Sequence, residues 1–218
     1  MEPSYLLATW SAGLAAGLAL VSSWRIVGPG YTWLASVVTL VFGIPAGVAA
    51  GSPWAWVGCA LALTAGAMAR RPVVVGVAAA LAAGGFAIAA GLDGLPVLAA
   101  SGAVFLGGVT SEMMLGHWYL VDPRLPRSAL RTLAVVGGGG AILDAIAVVI
   151  LGAFPWASDD LVIGWAWVAL SATSALLMVA VFFALRERGY SGVMAATGLS
   201  YLALLTAVGA VVLGRMLL

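Results

Sequence analysis

Apolar runs of about twenty residues recur along this chain, separated by short polar turns. Such a run suits a helix crossing roughly 30 Å of hydrocarbon at about 1.5 Å per residue. The runs are continuous, whereas a membrane β-barrel would alternate apolar and polar residues along each strand. Composition agrees: 64% of the 218 residues are hydrophobic and only 8% are charged. A soluble domain carries about 25% charged residues, so lipid is the natural solvent here.

The pattern predicts an all-α, polytopic transmembrane helical bundle of about eight spans. The helices are read at 5–22, 31–50, 53–69, 72–91, 96–120, 131–153, 161–184 and 190–214. The third is short, and the tight turn Gly51-Ser52-Pro53 before it leaves a re-entrant segment as an alternative. Pro45 falls inside the second helix, where it removes a backbone donor and predicts a kink. The opening Met1-Glu2-Pro3-Ser4 lacks the positive start of a secretory signal, so the first apolar segment reads as a retained helix.

Charge supports the count. All nine basic residues are Arg, and eight of them fall in or beside alternate loops: Arg25, Arg70 and Arg71, Arg124 with Arg127 and Arg131, then Arg186 and Arg188. Only Arg215 falls at the opposite end. The positive-inside rule therefore places the N-terminus and the C-terminus outside, in a bacterial-type plasma membrane. Trp33 and Trp118 then lie near the inner interface, and Trp54, Trp56 and Trp156 near the outer one, as an aromatic belt. Asp93, Asp159 and Asp160 fall in outer loops.

The whole chain, 1–218, reads as one transmembrane domain. A weak echo links Trp54-Ala55-Trp56-Val57 with Trp165-Ala166-Trp167-Val168 and suggests a repeat of four helices plus four, over 1–91 and 96–218.

Several chemistries are excluded. Without Lys there is no retinal-type Schiff base. With Cys59 as the single cysteine there is neither an internal disulfide nor a cysteine-ligated cluster within one chain. No basic tract invites nucleic acid, and no motif for a catalytic triad or a metal site is present. Whether the chain is an enzyme stays open.

The informative residues lie in helices 5 and 6. Glu112 and Asp144 fall well inside their spans, where a carboxyl is costly and faces a bundle interior or a wet cavity. Glu112 is expected to face Gly137-Gly138-Gly139-Gly140 of helix 6. Those glycines serve either close helix packing or a backbone wall beside a cavity. His117, the only histidine, sits near the inner end of helix 5 beside Trp118 and Tyr119. It suits proton handling, quinone contact or haem ligation, with Met113 one turn away. It also suits a plain interfacial histidine. Arg124, Arg127 and Arg131 form a patch that meets anionic headgroups.

Three functions remain. The first is a small transporter or proton-coupled carrier using Glu112 and Asp144, with His117 as a further proton site. The second is a redox subunit binding quinone or haem through His117, Trp118, Tyr119 and Met113. The third is a structural or assembly subunit. In each, membrane lipid is a partner and a homo-oligomer or a larger membrane complex is expected.

Overall fold

A computed structural model describes residues 2–152, 154 and 161–218. All described regular structure is helical. The elements are α1 (Pro3–Ser23), α2 (Pro29–Ala50), α3 (Pro53–Ala67), α4 (Pro72–Asp93), α5 (Pro96–Tyr119), α6 (Arg127–Ile150), α7 (Leu161–Ala184) and α8 (Tyr190–Met216). Seven of these are long and apolar enough to cross a membrane, and the chain is an all-α, multi-pass helical membrane protein. The eighth, α3, has 15 residues, or about 22 Å of helix, short of a full hydrocarbon core. Trp156, Asp159 and Asp160 lie outside the described residues.

Proline sets most of the helix starts. Pro3, Pro29, Pro53, Pro72 and Pro96 each open a helix. There the missing N–H has no intrahelical partner to lose, and the ring holds φ near its helical value. Pro126 occupies the cap position before α6, which begins four residues earlier than the apolar pattern indicated. Arg127 therefore belongs with Arg131 to the first turns of that helix and not to the loop. Pro45 lies within α2, which runs through it to Ala50. The helix ends where Gly51 turns left-handed at φ 61°, its N–H bonding the Gly47 carbonyl at 3.0 Å.

The chain divides into two compact units, residues 2–103 and 104–218, so the first eight residues of α5 group with the first unit. In the first unit each helix packs on the next, and α4 closes back on α1. Its centre is Phe86 of α4, fully buried against Gly43 of α2 and Gly58 of α3, where any larger residue would collide with the ring. Trp10 and Phe42 stack with centroids 4.3 Å apart, tying α1 to α2. Cys59 is buried here as a small apolar filler.

In the second unit α6 packs on α7 and α7 on α8. The remaining part of α5 packs on both α6 and α8. Contact with α6 is backbone to backbone. A Cβ on Gly108 would lie 2.6 Å from the Gly137 nitrogen, and one on Gly140 would lie 2.6 Å from the Phe105 Cα. Two of the four consecutive glycines thus serve close packing, which in lipid replaces the missing hydrophobic drive between helices. The other two, Gly138 and Gly139, turn away from α5: Gly138 faces Met178 of α7, and Gly139 meets open space.

Candidate functional site

The second unit buries two carboxyls, and α8 partners both. Glu112 is fully buried, seven residues before the end of α5. Its Oε2 is hydrogen-bonded to the Ser200 hydroxyl of α8. Its Oε1 is buried with no hydrogen-bond partner among the described residues. The sequence suggested that Glu112 faces the glycines of α6. Instead its partner comes from α8, because the glycines it was assigned to are consumed by the α5 backbone or lie on the other side of α6.

The Ser200 hydroxyl also bonds the Ala196 carbonyl one turn back, at 2.8 Å. A hydroxyl has a single proton to donate. If Ser200 gives it to an ionised Glu112, the Ala196 contact is not a hydrogen bond from that group. If Ser200 gives it to Ala196, then a protonated Glu112 donates to Ser200. The pair thus has two complete arrangements that differ by one proton on Glu112.

Asp144 is 2% exposed and sits six residues before the end of α6. Arg215, in the last turn of α8, clasps it with two bonds: Nη1 to Oδ2 at 2.6 Å and Nη2 to Oδ1 at 2.6 Å. This is the planar, two-pronged geometry that makes guanidinium the best partner for a buried carboxylate. Arg215 had been read only as a terminal charge opposite the others. It is a buried partner, and it neutralises Asp144 in place.

The two acids do not form one site. Ser200 and Arg215 are 15 residues apart on α8, about 22 Å along its axis. Asp144 also lies nearer the end of its helix than expected, about 9 Å from Ile150, because α6 begins and ends earlier. Between them, the hydroxyls of Ser174 on α7 and Thr206 on α8 are hydrogen-bonded to each other at 2.7 Å. Thr197 of α8 faces Gly116 of α5 one turn below Ser200.

The remaining candidates do not converge on Glu112. His117 is exposed in the last turn of α5, and Met113 and Trp118 are partly buried. Tyr119 is buried, with the Arg127 guanidinium 6.0 Å from its ring centroid. The Arg cluster separates into distinct roles. Arg127 donates to the carbonyls of Glu187, Arg188 (3.0 Å) and Gly189 (3.1 Å), clamping the α7–α8 loop to the start of α6. Arg124 bonds Asp122 through its side chain at 3.1 Å and its N–H at 3.2 Å, which holds that exposed carboxyl below its ordinary range. Arg131 bonds neither. Among the described residues no group of three or more His, Cys, Asp or Glu is placed to hold a metal ion.

Sequence reasoning missed two buried contacts, Glu112 with Ser200 and, more plainly, Asp144 with Arg215. A carboxyl inside one span and an Arg inside the last turn of another were the available signal, since buried charges in lipid pair with one another. No family model matches the chain, and neither a curated protein nor a solved structure matches it.

Proposed function

We propose that the protein is a small membrane carrier that exchanges a proton, or a cation in its place, at Glu112. The observation that carries this reading is the Glu112–Ser200–Ala196 arrangement. A buried carboxyl holds one oxygen on a hydroxyl that can reverse its donor role, while the other oxygen is left without a protein partner. A purely structural acid in lipid would be satisfied on both oxygens, as Asp144 is by Arg215. Asp144 and Arg215 serve as a fixed, internally neutral pair that holds α6 to α8 while the Glu112 end changes state.

In this reading the eight helices all cross, with the Arg-bearing loops inside and both termini outside a bacterial-type plasma membrane. The chain reads as one transmembrane domain with a four-plus-four repeat over 1–91 and 96–218. Packing in chain order supports the repeat: α1 to α4 pack in turn with α4 back on α1, and α6, α7 and α8 pack in turn with α8 bonded to α5 through Ser200 and Glu112. A chain of 218 residues is small for an alternating-access carrier, so a homo-oligomer fits the role.

The test uses purified protein in liposomes loaded with a pH-sensitive dye. An external acid pulse should drive proton entry above the protein-free rate. Glu112→Gln, which keeps shape and a Ser200 contact, should return entry to the protein-free rate. Entry in Glu112→Gln equal to that of the unaltered protein would overturn the proposal.

A further inference from the structure

A groove runs along the face of α6 and α7 away from α5. Val135, Gly138, Gly139 and Ile142 of α6 and Val179 and Phe182 of α7 line it, around a volume of about 530 Å³. Its lining is almost wholly apolar, and its mouth is open: Val135, Ile142 and Val179 are all exposed. The recess exists because Gly138 and Gly139 place no side chain there; a Cβ on Gly139 would meet nothing within 4 Å.

One end of the groove is charged. A second recess, sharing Val135 and Phe182 with the first, is lined by Ser128, Arg131 and Thr132. The Arg131 Nε is buried with no hydrogen-bond partner, and no carboxylate pairs with Arg131 among the described residues. Arg186 lies over the same aromatic wall, its guanidinium 5.0 Å from the Phe182 centroid and 4.8 Å from that of Phe183. It too has no carboxylate partner among the described residues. Phe182, at the end of the apolar slot, thus borders Arg131 in the second recess and carries Arg186 over its ring, and neither Arg has a carboxylate partner among the described residues.

The dimensions match one lipid tail. From Arg131 to Ile142 is 11 residues, about 16 Å of helix, which is half of a hydrocarbon core roughly 30 Å thick. A phosphate at Arg131 would thus place a single acyl chain along Gly138 and Gly139 to the middle of the bilayer. Guanidinium groups bind phosphate with paired hydrogen bonds, and a basic pocket between membrane helices on the inner side is the form that recognises anionic headgroups.

We propose that the α6–α7 groove binds one anionic phospholipid, its phosphate held by Arg131 and Arg186 and one acyl chain lying over Gly138 and Gly139. The site is separate from Glu112, which bonds to α8, and stands whether or not Glu112 exchanges protons.

The experiment is native mass spectrometry of protein released from nanodiscs of equal phosphatidylglycerol and phosphatidylcholine. The unaltered protein should retain one phosphatidylglycerol in preference to phosphatidylcholine. Arg131→Gln should lower that preference about fivefold, the effect of one basic residue near the surface. Gly139→Leu, at a groove-lining position where a Cβ meets nothing within 4 Å, should retain neither lipid while keeping its helical spectrum and melting temperature. Equal retention of the two lipids by the unaltered protein would overturn the proposal, as would unchanged retention in Gly139→Leu.

Discussion

Asp144 and Arg215 show how a residue in lipid is judged by its partner. Each alone would be a costly buried charge; together they form a two-pronged, locally neutral pair. Removing one side should therefore cost more than removing both. Arg215→Leu is expected to lose about 3–5 kcal/mol, because Asp144 is stranded. The double variant Arg215→Leu with Asp144→Leu should recover most of that loss, and thermal or denaturant unfolding in detergent checks it. A double variant less stable than Arg215→Leu would show that the pair's worth lies in contacts other than its charge balance. That Asp144 lies inside a span was legible, since a carboxyl inside an apolar run stands out; how near the helix end it lies was not. Its partner was not: the two residues are 71 apart in sequence, and only packing decides which Arg meets which acid. The same gap explains Glu112. The helical repeat tells which residues share a face with it, but not which neighbouring helix that face meets.

At the scale of elements, the glycine run of α6 has two uses on two faces. Gly140 lets the α5 backbone approach, so Gly140→Ala should push the helices apart and cost roughly 1–3 kcal/mol, as overpacking does. Gly139 has free space, so Gly139→Ala should leave stability unchanged or raise it by up to about 1 kcal/mol through helix propensity. Melting curves of the two variants give the comparison, and equal destabilisation would contradict the assignment of faces. Arg127→Ala should release the α7–α8 loop from α6 and lower stability by about 2 kcal/mol, read in the same way, since hydrogen bonds from a charged donor are lost together. Helix existence was legible from apolar run length, and most starts carry a proline that the chain announces directly. The start of α6 was less so: Arg127 looks like a loop charge, yet Pro126 occupies the cap position of a helix that begins at Arg127. Four glycines in a row signalled close approach, but a run that covers a full turn cannot say which pair meets the neighbour.

For the whole molecule, the alternation of Arg-bearing turns is the argument for orientation. After Cys59→Ser, a cysteine at Asp93, before α5, should react with a membrane-impermeant thiol reagent added outside intact cells. One at Val121, after α5, should be protected until the membrane is opened. The reverse pattern would invert the orientation and place Arg124, Arg127 and Arg131 outside. Composition and run length were enough to read an all-α membrane bundle, because a chain this poor in charge has few other solvents. They were not enough to read the contacts among α5, α6 and α8, which have no spacing signature.

The central claim is that Glu112 gains and loses a proton within the bundle while Ser200 reverses its donor role. Infrared difference spectroscopy between acidic and alkaline pH on the membrane-embedded protein reads this directly. A protonated-carboxyl C=O band should appear on acidification, vanish in Glu112→Gln and shift in Ser200→Ala. A pH-dependent carboxyl band that is identical in Glu112→Gln would contradict the account.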